Sequence, residues 1–246
     1  MKFYRRLTPI KAMSFDLDDT LYSNKPVMQA IEKQMIAYFD GVVTRLQLHS
    51  APVRVLDQHF WLPFRQQAVL QQPNLAHDVV KVRLHTYHLG FGALGLTDDL
   101  AQQQAQAALD YFIELRSDFS VSEQSKKLLA ELSENYPLVA ISNGNVDTKA
   151  LGIAQYFTHI YHAGWQADGV LLKQKPATDM FKLVCQQLAI KPQQLLHVGD
   201  CGNADILGGI TAGCQTAWLP KYGVGKAIKN LPHIELTDVS DLLRLI

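Results

Sequence analysis

Two different hydrophobic patterns divide the chain. In the C-terminal half, short apolar runs that predict buried strands alternate with segments of helical periodicity. Ser122 is a suitable N-cap for one of these helices, and Gly213 a suitable residue after the last turn of another. The predicted elements are strands at residues 138–141, 195–198 and 216–219 and helices at 122–132 and 203–212. This alternation predicts βαβ units and a parallel sheet with helices on both faces.

The segment between residues 23 and 119 has a helical pattern instead. Apolar residues recur at helical spacing after Pro26, which suits a first helical turn. Further helices are predicted around residues 79–89 and after Thr97, a second potential N-cap. Three prolines and a glycine-containing stretch are expected to separate these helices: Pro52, Pro63, Pro73 and residues 90–95.

The predicted fold class is therefore α/β with an insertion. The core, residues 1–22 and 120–246, is expected to contain a Rossmann-like parallel sheet. Residues 23–119 are expected to form a helical domain inserted after the first strand. A chain of 246 residues is long enough for this arrangement.

Composition and charge exclude several classes of protein. Lysine and arginine together number 23 and balance 23 acidic residues, so no overall field favours nucleic acid or an anionic membrane. No long apolar segment predicts a signal peptide or a spanning helix. Cys185, Cys201 and Cys214 form neither a disulfide framework nor a zinc pattern, which fits a reducing compartment. We expect a cytoplasmic protein.

Three carboxylates crowd the end of the first predicted strand. Asp16, Asp18 and Asp19 directly follow the apolar positions of residues 10–15. Adjacent carboxylates repel each other, and burying one costs free energy unless a cation or hydrogen-bond donors compensate. A divalent cation with oxygen ligands, of which Mg²⁺ is the best candidate, would compensate. The alternative is a solvated acidic turn, but Asp16 and Asp18 alternate as residues on one face of a strand do.

Other polar residues are predicted at the ends of later elements. Ser142 and Asn143 follow the second predicted strand, and Asp200 follows Gly199 after the next. Lys175 precedes a proline in an irregular region, with Lys173 as a nearby alternative, and Asp205 lies five residues after Asp200. Carboxyl ends of parallel strands surround the ligand crevice of an open sheet, so these residues are expected to meet.

With these motifs in place, the chain resembles the haloacid dehalogenase superfamily of hydrolases over its whole length. Residues 16–20 resemble the first motif of that family, and Ser142, Lys175 and residues 199–205 resemble the other three. The position of the helical insert resembles the family's first type of cap domain. The resemblance implies a small-molecule phosphate ester as substrate and Mg²⁺ as cofactor.

The resemblance also implies roles for individual residues. Asp16 would be the nucleophile and Asp18 the general acid and base. Lys175 and Ser142, with the amides around Asn143, would bind the phosphoryl oxygens. The metal ligands would be Asp16, the Asp18 carbonyl and Asp200. Asp205 would orient this metal shell and Thr20 would brace the first loop.

Similarity to one bacterial subgroup suggests the substrate. Members of that subgroup are phosphatases of flavin mononucleotide (FMN) and of 5-amino-6-(5-phospho-D-ribitylamino)uracil, a riboflavin precursor. Arg83 is the candidate substrate residue, although an ion pair with Asp78 or Asp99 is an equal alternative. Most of the insert's aromatic and histidine residues are expected to pack in its core: Phe60, Trp61, Phe64, His85, Tyr87, His88 and Phe91.

Other activities remain open at this point. A phosphatase acting broadly on sugar phosphates or nucleotides, or a phosphomutase, would use the same two acids. A catalytically silent binding protein on the same fold is a further alternative. Asp18 argues against dehalogenation, which does not need an acid on an ester leaving group.

Overall fold

A seven-stranded sheet forms the centre of the α/β part of the chain. The computed structural model describes residues 1–48 and 55–246. The strands are β1 (Lys2–Phe3), β2 (Ala12–Phe15), β3 (Leu138–Ser142), β4 (His159–His162), β5 (Gln166–Ala167), β6 (Val170–Leu171), β7 (Leu195–Gly199), β8 (Gln215–Trp218) and β9 (Ile234–Glu235). The sheet order is β1-β9-β8-β7-β2-β3-β4, while β5 and β6 form a separate hairpin.

The sheet is parallel except at one edge, where β1 pairs antiparallel with β9. Every residue of β2, β3 and β7 is buried. Strands in the middle of a parallel sheet are covered by helices on both faces, so they consist of continuous apolar runs. Since β2 lies between β3 and β7, the chain segments that follow these three strands emerge side by side.

The helices divide between two parts of the chain. They are α1 (Asn24–Arg45), α2 (Gln58–Gln71), α3 (Val79–Ala93), α4 (Asp98–Arg116), α5 (Glu123–Ser133), α6 (Asp179–Gln187) and α7 (Gly208–Thr211). The chain forms two compact units, Met1–Asn24 with Phe119–Ile246 and Lys25–Asp118. We call them the sheet domain and the helical domain. The boundaries predicted from the sequence lie at 22/23 and 119/120, and those of the structure at 24/25 and 118/119.

Two of the residues expected to separate helices lie inside them. Pro63 is within α2, and α3 continues through Gly90 to Ala93. Gly90 serves packing rather than chain termination, because a Cβ at this position would overlap the ring of Trp61. The expectation was correct for Pro73, which begins a short 3₁₀ helix, while Pro52 lies outside the described residues.

The helical domain has a core rich in aromatic residues. The ring of Phe39 on α1 lies 4.5 Å from that of Trp61 on α2 and 5.2 Å from that of Tyr87 on α3. Phe91 is fully buried in the same cluster. The first contact is tilted and the second edge-to-face, and such aromatic contacts add to the free energy gained by burying apolar surface. Among the described residues, no helix has the length and apolar character of a membrane span.

Candidate active site

The first candidate residues lie in a turn that begins where β2 ends. The amide of Asp16 still bonds to the Val198 carbonyl of β7, at 2.9 Å. The chain then turns, with the Leu21 amide bonded to the Leu17 carbonyl at 3.0 Å. Asp18 therefore lies in the turn and not, as the alternation suggested, on a continuing strand. Its Oδ1 accepts a bond of 2.8 Å from the Tyr22 hydroxyl.

The other two residues of this motif have local contacts. Asp19 has a positive φ of 56°, and its Oδ1 accepts a bond of 2.8 Å from the amide of Asn24, the first residue of α1. This contact satisfies an amide that has no partner within the helix. Thr20 is buried, but its hydroxyl bonds to no described residue; its amide contacts the Leu17 carbonyl at 3.3 Å. The expected bracing by Thr20 thus involves its backbone alone.

Lys175 connects the separate parts of the site. It lies in the loop between β6 and α6, within the irregular region in which the sequence placed it. Its fully buried ammonium donates to Asp16 Oδ1 at 2.6 Å, to Asp205 Oδ1 at 2.7 Å and to the Ile141 carbonyl at 2.7 Å. Lys173, the alternative lysine, is exposed. The structure therefore assigns the site lysine to position 175.

The loop after β3 holds Lys175 in place. The side-chain amide of Asn143 donates to the Lys175 carbonyl at 3.0 Å, and its oxygen accepts from the Lys175 amide at 2.8 Å. The side chain of Asn143 is therefore occupied with the backbone of Lys175, whereas the predicted phosphate contact concerns the backbone amides around Asn143. Ser142 is buried, and its Oγ accepts from the Gly144 amide at 2.9 Å, which leaves the hydroxyl hydrogen for another acceptor.

Asp205 is in a π-helical turn, Gly202–Leu207, that follows β7. Besides Lys175, its donors are the Cys201 amide at 2.9 Å and His197 Nε2 at 3.1 Å. A Cβ on Gly199 would overlap the Asp205 carboxylate, so glycine at 199 allows this close approach. Asp205 has enough donors to remain ionised although it is fully buried.

The pKa values of the site's ionisable groups depend on burial and on the charge of Lys175. Burial raises the pKa of Asp16 well above its usual value, and the charges of Asp205 and Asp18 add to this effect. Burial alone would raise the pKa of Asp205 and lower that of Lys175. The charges of Asp16 and Asp205 outweigh burial and raise the pKa of Lys175 above its usual value, while Lys175 and His197 hold the pKa of Asp205 well below its usual range.

The acidic cluster fits a divalent cation. Oxygen atoms of Asp16, Asp200 and Asp205 lie within 4.8 Å of one another, and Lys175 neutralises only one of the three charges. Burial, with the nearby charges of Asp205 and Asp19, raises the pKa of Asp200 to about 7. A carboxylate-rich site of this kind suits Mg²⁺. Since Asp205 is occupied by its donors, Asp16 and Asp200 are the side chains that would hold the ion.

Arg83 lies in the helical domain and forms no ion pair with Asp78 or Asp99 within the described chain. Its guanidinium is 3.5 Å from the ring centroid of Phe112 and donates to the Tyr87 hydroxyl at 3.2 Å. Asp78 instead caps α3 and pairs with Lys81 at 3.2 Å. Of the two alternatives, the ion pair is therefore absent among the described residues, and Arg83 stacks on Phe112 instead.

Sequence reasoning missed two buried residues beneath the site, His197 and Ser14. They are partners in the register of β7 and β2, and Ser14 Oγ lies 2.9 Å from His197 Nδ1. The available signal was a polar residue within each of two apolar strand runs, which the sequence analysis did not use.

Comparisons with known proteins agree with this geometry. The family model of the haloacid dehalogenase-like hydrolases matches residues 10–213. The chain is 32% identical over 250 residues to the 5-amino-6-(5-phospho-D-ribitylamino)uracil phosphatase YigB of Escherichia coli (strain K12), with 100% of both chains covered. It is 27% identical to a phosphoglycolate phosphatase of Pectobacterium atrosepticum, covering 98% of this chain and 94% of that one.

A similar solved structure is the 2-haloacid dehalogenase of Pseudomonas syringae pv. Tomato DC3000. Its TM-score is 0.83 at 25% identity, covering 96% of this chain and 97% of that one. The chain belongs to the haloacid dehalogenase-like hydrolases. With phosphatases among its full-length relatives, it is a phosphatase of that family.

Proposed function

We propose that this phosphatase is a Mg²⁺-dependent phosphomonoester hydrolase that forms an aspartyl-phosphate on Asp16. The observation that carries the proposal is that two acidic side chains bond to one buried lysine. Lys175 bonds to Asp16 at 2.6 Å and to Asp205 at 2.7 Å, although the three residues come from distant parts of the sequence. The arrangement positions a nucleophile next to a fixed positive charge, as transfer of an anionic phosphoryl group requires.

In the first step, a carboxylate oxygen of Asp16 attacks phosphorus and the ester P–O bond breaks. The leaving oxygen takes the bonding electron pair and receives a proton from Asp18, which releases the alcohol. In the second step, Asp18 accepts a proton from water as that water attacks phosphorus. The bond between phosphorus and Asp16 then breaks, which releases inorganic phosphate and regenerates both acids.

The remaining residues bind and orient the phosphoryl group. The Ser142 hydroxyl and the Lys175 ammonium supply a donor and a positive charge for its oxygens. Asp16, Asp200 and the backbone carbonyl of Asp18 would hold Mg²⁺, whose positive charge would reduce repulsion between nucleophile and phosphate. Asp205 keeps Lys175 in place.

The test of the nucleophile compares two neighbouring acids. Asp16→Asn is expected to lower phosphate release at least about a thousandfold, because an amide is a poor nucleophile. Asp19→Asn is the matched control, since asparagine keeps the oxygen that accepts from the Asn24 amide, and its activity should stay within about threefold of wild type. Full activity of Asp16→Asn would refute the assignment and would indicate that another residue is the nucleophile.

We further propose that the substrate carries a ribityl phosphate on a planar ring: 5-amino-6-(5-phospho-D-ribitylamino)uracil, FMN or both. The full-length relative from Escherichia coli supports this choice. So does a cavity of about 660 Å³ within the helical domain, lined by residues such as Phe39, Trp61, Tyr87 and Arg83. Its volume is typical of small-molecule sites. The aromatic rings suit a flat heterocycle, and the fork of Arg83 suits its carbonyl oxygens.

The substrate proposal is tested with a phosphate-release panel. In the presence of Mg²⁺, kcat/KM is compared for the ribitylaminouracil phosphate, FMN, nucleotides, hexose phosphates and phosphoglycolate. The two ring-bearing ribityl phosphates are expected to lead by at least about tenfold, as loss of well-placed polar contacts costs an analogue that much or more. Equal rates across the panel would indicate a broad small-metabolite phosphatase.

Arg83→Lys tests the ring-binding residue. Lysine keeps the charge but loses the planar fork and the stacking on Phe112. We expect kcat/KM for the ring-bearing substrates to fall about tenfold, the effect of one lost charge-assisted hydrogen bond, with phosphoglycolate unaffected. Arg65→Lys, at an exposed position on the same cavity, is the control. An equal loss on every substrate would contradict a role in ring recognition.

The likeness to a haloacid dehalogenase makes halide displacement a second candidate. It would use Asp16 as nucleophile but would give Asp18 no leaving alcohol to protonate. Halide release from 2-haloacids, measured beside phosphate release, separates the two. We expect phosphate release alone, and it should depend on Asp18.

A further inference from the structure

His197 is a fully buried polar residue in the middle of the sheet. Its Nδ1 is 2.9 Å from Ser14 Oγ on the neighbouring strand β2, and its Nε2 is 3.1 Å from Asp205 Oδ1. The edge of the Phe181 ring packs against it with the centroids 4.8 Å apart. Both ring nitrogens are therefore used, and the ring has a fixed orientation.

The direction of these hydrogen bonds follows from the partners. Asp205 is ionised because Lys175 lies beside it, so it can only accept. His197 Nε2 must therefore carry a hydrogen. Burial lowers the pKa of His197, which makes the neutral ring the relevant form, and Nδ1 then accepts from the Ser14 hydroxyl. This bond selects the tautomer that donates to Asp205.

Further hydrogen bonds link His197 to the proposed nucleophile, Asp16. Asp205 Oδ1 accepts from both His197 and Lys175, and the Lys175 ammonium donates to Asp16. These side chains form one hydrogen-bonded chain in the order Ser14, His197, Asp205, Lys175 and Asp16. Buried networks with every member satisfied hold their groups in one geometry.

We propose that His197, with Ser14 behind it, is a positioning residue for phosphoryl transfer. It holds the Asp205 carboxylate in the orientation that directs the Lys175 ammonium at Asp16. His197 touches neither the nucleophile nor, by this proposal, the substrate. The proposal rests on the phosphatase mechanism above. It adds two buried side chains, from the neighbouring strands β2 and β7, that hold Asp205 in place.

The test uses variants that separate ring volume from hydrogen bonding. His197→Phe keeps a planar ring of similar size but removes both bonds, so kcat should fall about 10- to 100-fold, as for other supports behind a site. KM should rise by about the factor by which tungstate affinity falls, because both report the contact between Lys175 and the bound anion. His197→Gln retains an N–H that can reach Asp205 and should recover most of kcat. Ser14→Ala should give a smaller loss.

Two controls keep the test decisive. His233→Phe changes a half-buried histidine that directly precedes β9 and lies outside this network, and it should leave kcat unchanged. Binding of tungstate, a tetrahedral oxyanion, is measured by calorimetry for each variant, because a misplaced lysine weakens anion binding without any turnover. We expect His197→Phe to bind tungstate at least about tenfold more weakly than wild type.

The outcomes separate this inference from the proposed function. If wild type releases phosphate and His197→Phe matches it in kcat and tungstate affinity, the positioning role is wrong while the phosphatase mechanism stands. If His197→Gln is as impaired as His197→Phe, the ring acts through packing and the inference also fails. If wild type releases no phosphate from any ester, the proposed function itself fails.

Discussion

At the scale of single residues, Lys175 links the loops that carry the site's carboxylates. Its ammonium has three acceptors, and two of them are carboxylates whose charges would otherwise be buried together. Transfer of a charge from water to a protein interior is costly, and removal of one partner of a buried pair leaves that cost uncompensated. Lys175 is thus expected to contribute to stability as well as to catalysis.

Lys175→Met tests this double role. Methionine has a similar length but no charge, so metal-free protein should lose about 3 kcal/mol of unfolding free energy. Lys173→Met, two residues away and exposed, should stay within about 0.5 kcal/mol of wild type. Urea denaturation in the presence of EDTA measures both. Equal stability of the two variants would mean that Asp16 and Asp205 do not need the lysine.

Asp200 gives a prediction about pH. Its pKa is raised from 3.8 to about 7, first by burial and then by Asp205 and Asp19. Between these two values the folded state retains a proton that the unfolded state has lost, so this group's contribution to metal-free stability falls as pH rises from about 4 to about 7. Above pH 7 the buried carboxylate is ionised and needs a cation.

Mg²⁺ should therefore raise the melting temperature more at pH 8 than at pH 6. Differential scanning fluorimetry with and without Mg²⁺ measures this difference. In Asp200→Asn the pH dependence of the Mg²⁺ effect should largely disappear. A Mg²⁺ effect in wild type that is the same at both pH values would show that Asp200 is not a ligand.

At the scale of elements, the contact between α2 and α3 depends on a glycine, which has no side chain. Gly90 faces Trp61, and any Cβ at position 90 would overlap the indole ring. The absence of a side chain at position 90 therefore leaves room for the Trp61 ring between α2 and α3. From the sequence pattern alone, Gly90 was expected to end a helix, because glycine is common at helix ends.

Gly90→Ala and Gly92→Ala form a matched pair in α3. Alanine favours helix by about 1 kcal/mol over glycine, and no atom of the described residues lies within 4 Å of a Cβ at position 92, so Gly92→Ala should stabilise the domain. At position 90 overpacking against Trp61 should outweigh this gain and cost about 1–3 kcal/mol. Thermal unfolding of both variants is the measurement. Stabilisation by both would contradict the tight α2–α3 contact.

At the scale of the whole molecule, the two domains have separate hydrophobic clusters. Those of the sheet domain surround β2, β3 and β7, and those of the helical domain include Phe39, Trp61 and Phe91. A domain with its own core can unfold as its own cooperative unit. The division also separates the predicted catalytic residues from Arg83.

Calorimetry is accordingly expected to show two unfolding transitions. Mg²⁺ should shift the transition of the sheet domain, because a ligand stabilises the unit that binds it. Gly90→Ala should shift the other transition. A single transition that responds equally to both changes would show that the domains unfold together.

The sequence by itself determined the elements with strong local signals and the chemistry of the first motif. The apolar runs of β3, β7 and β8 and the N-cap Ser122 lie within one residue of their predicted positions, because continuous burial and capping leave a local pattern. The pattern could not show that the Lys175 ammonium bonds to both Asp16 and Asp205. Nor could it show that the Asn143 side chain bonds to the Lys175 backbone.

The donors to Asp205 and the support by His197 were decided by tertiary structure alone, whereas the acidic cluster was expected from the strand ends. Lys175 and Asp16 are 159 positions apart, and Ser14 and His197 are 183 apart, so no local pattern relates them. Parallel pairing of β2 with β3 and β7 brings these segments together. Residue type therefore fixed what each side chain can do, and the order of strands in the sheet decided which side chains act on one another.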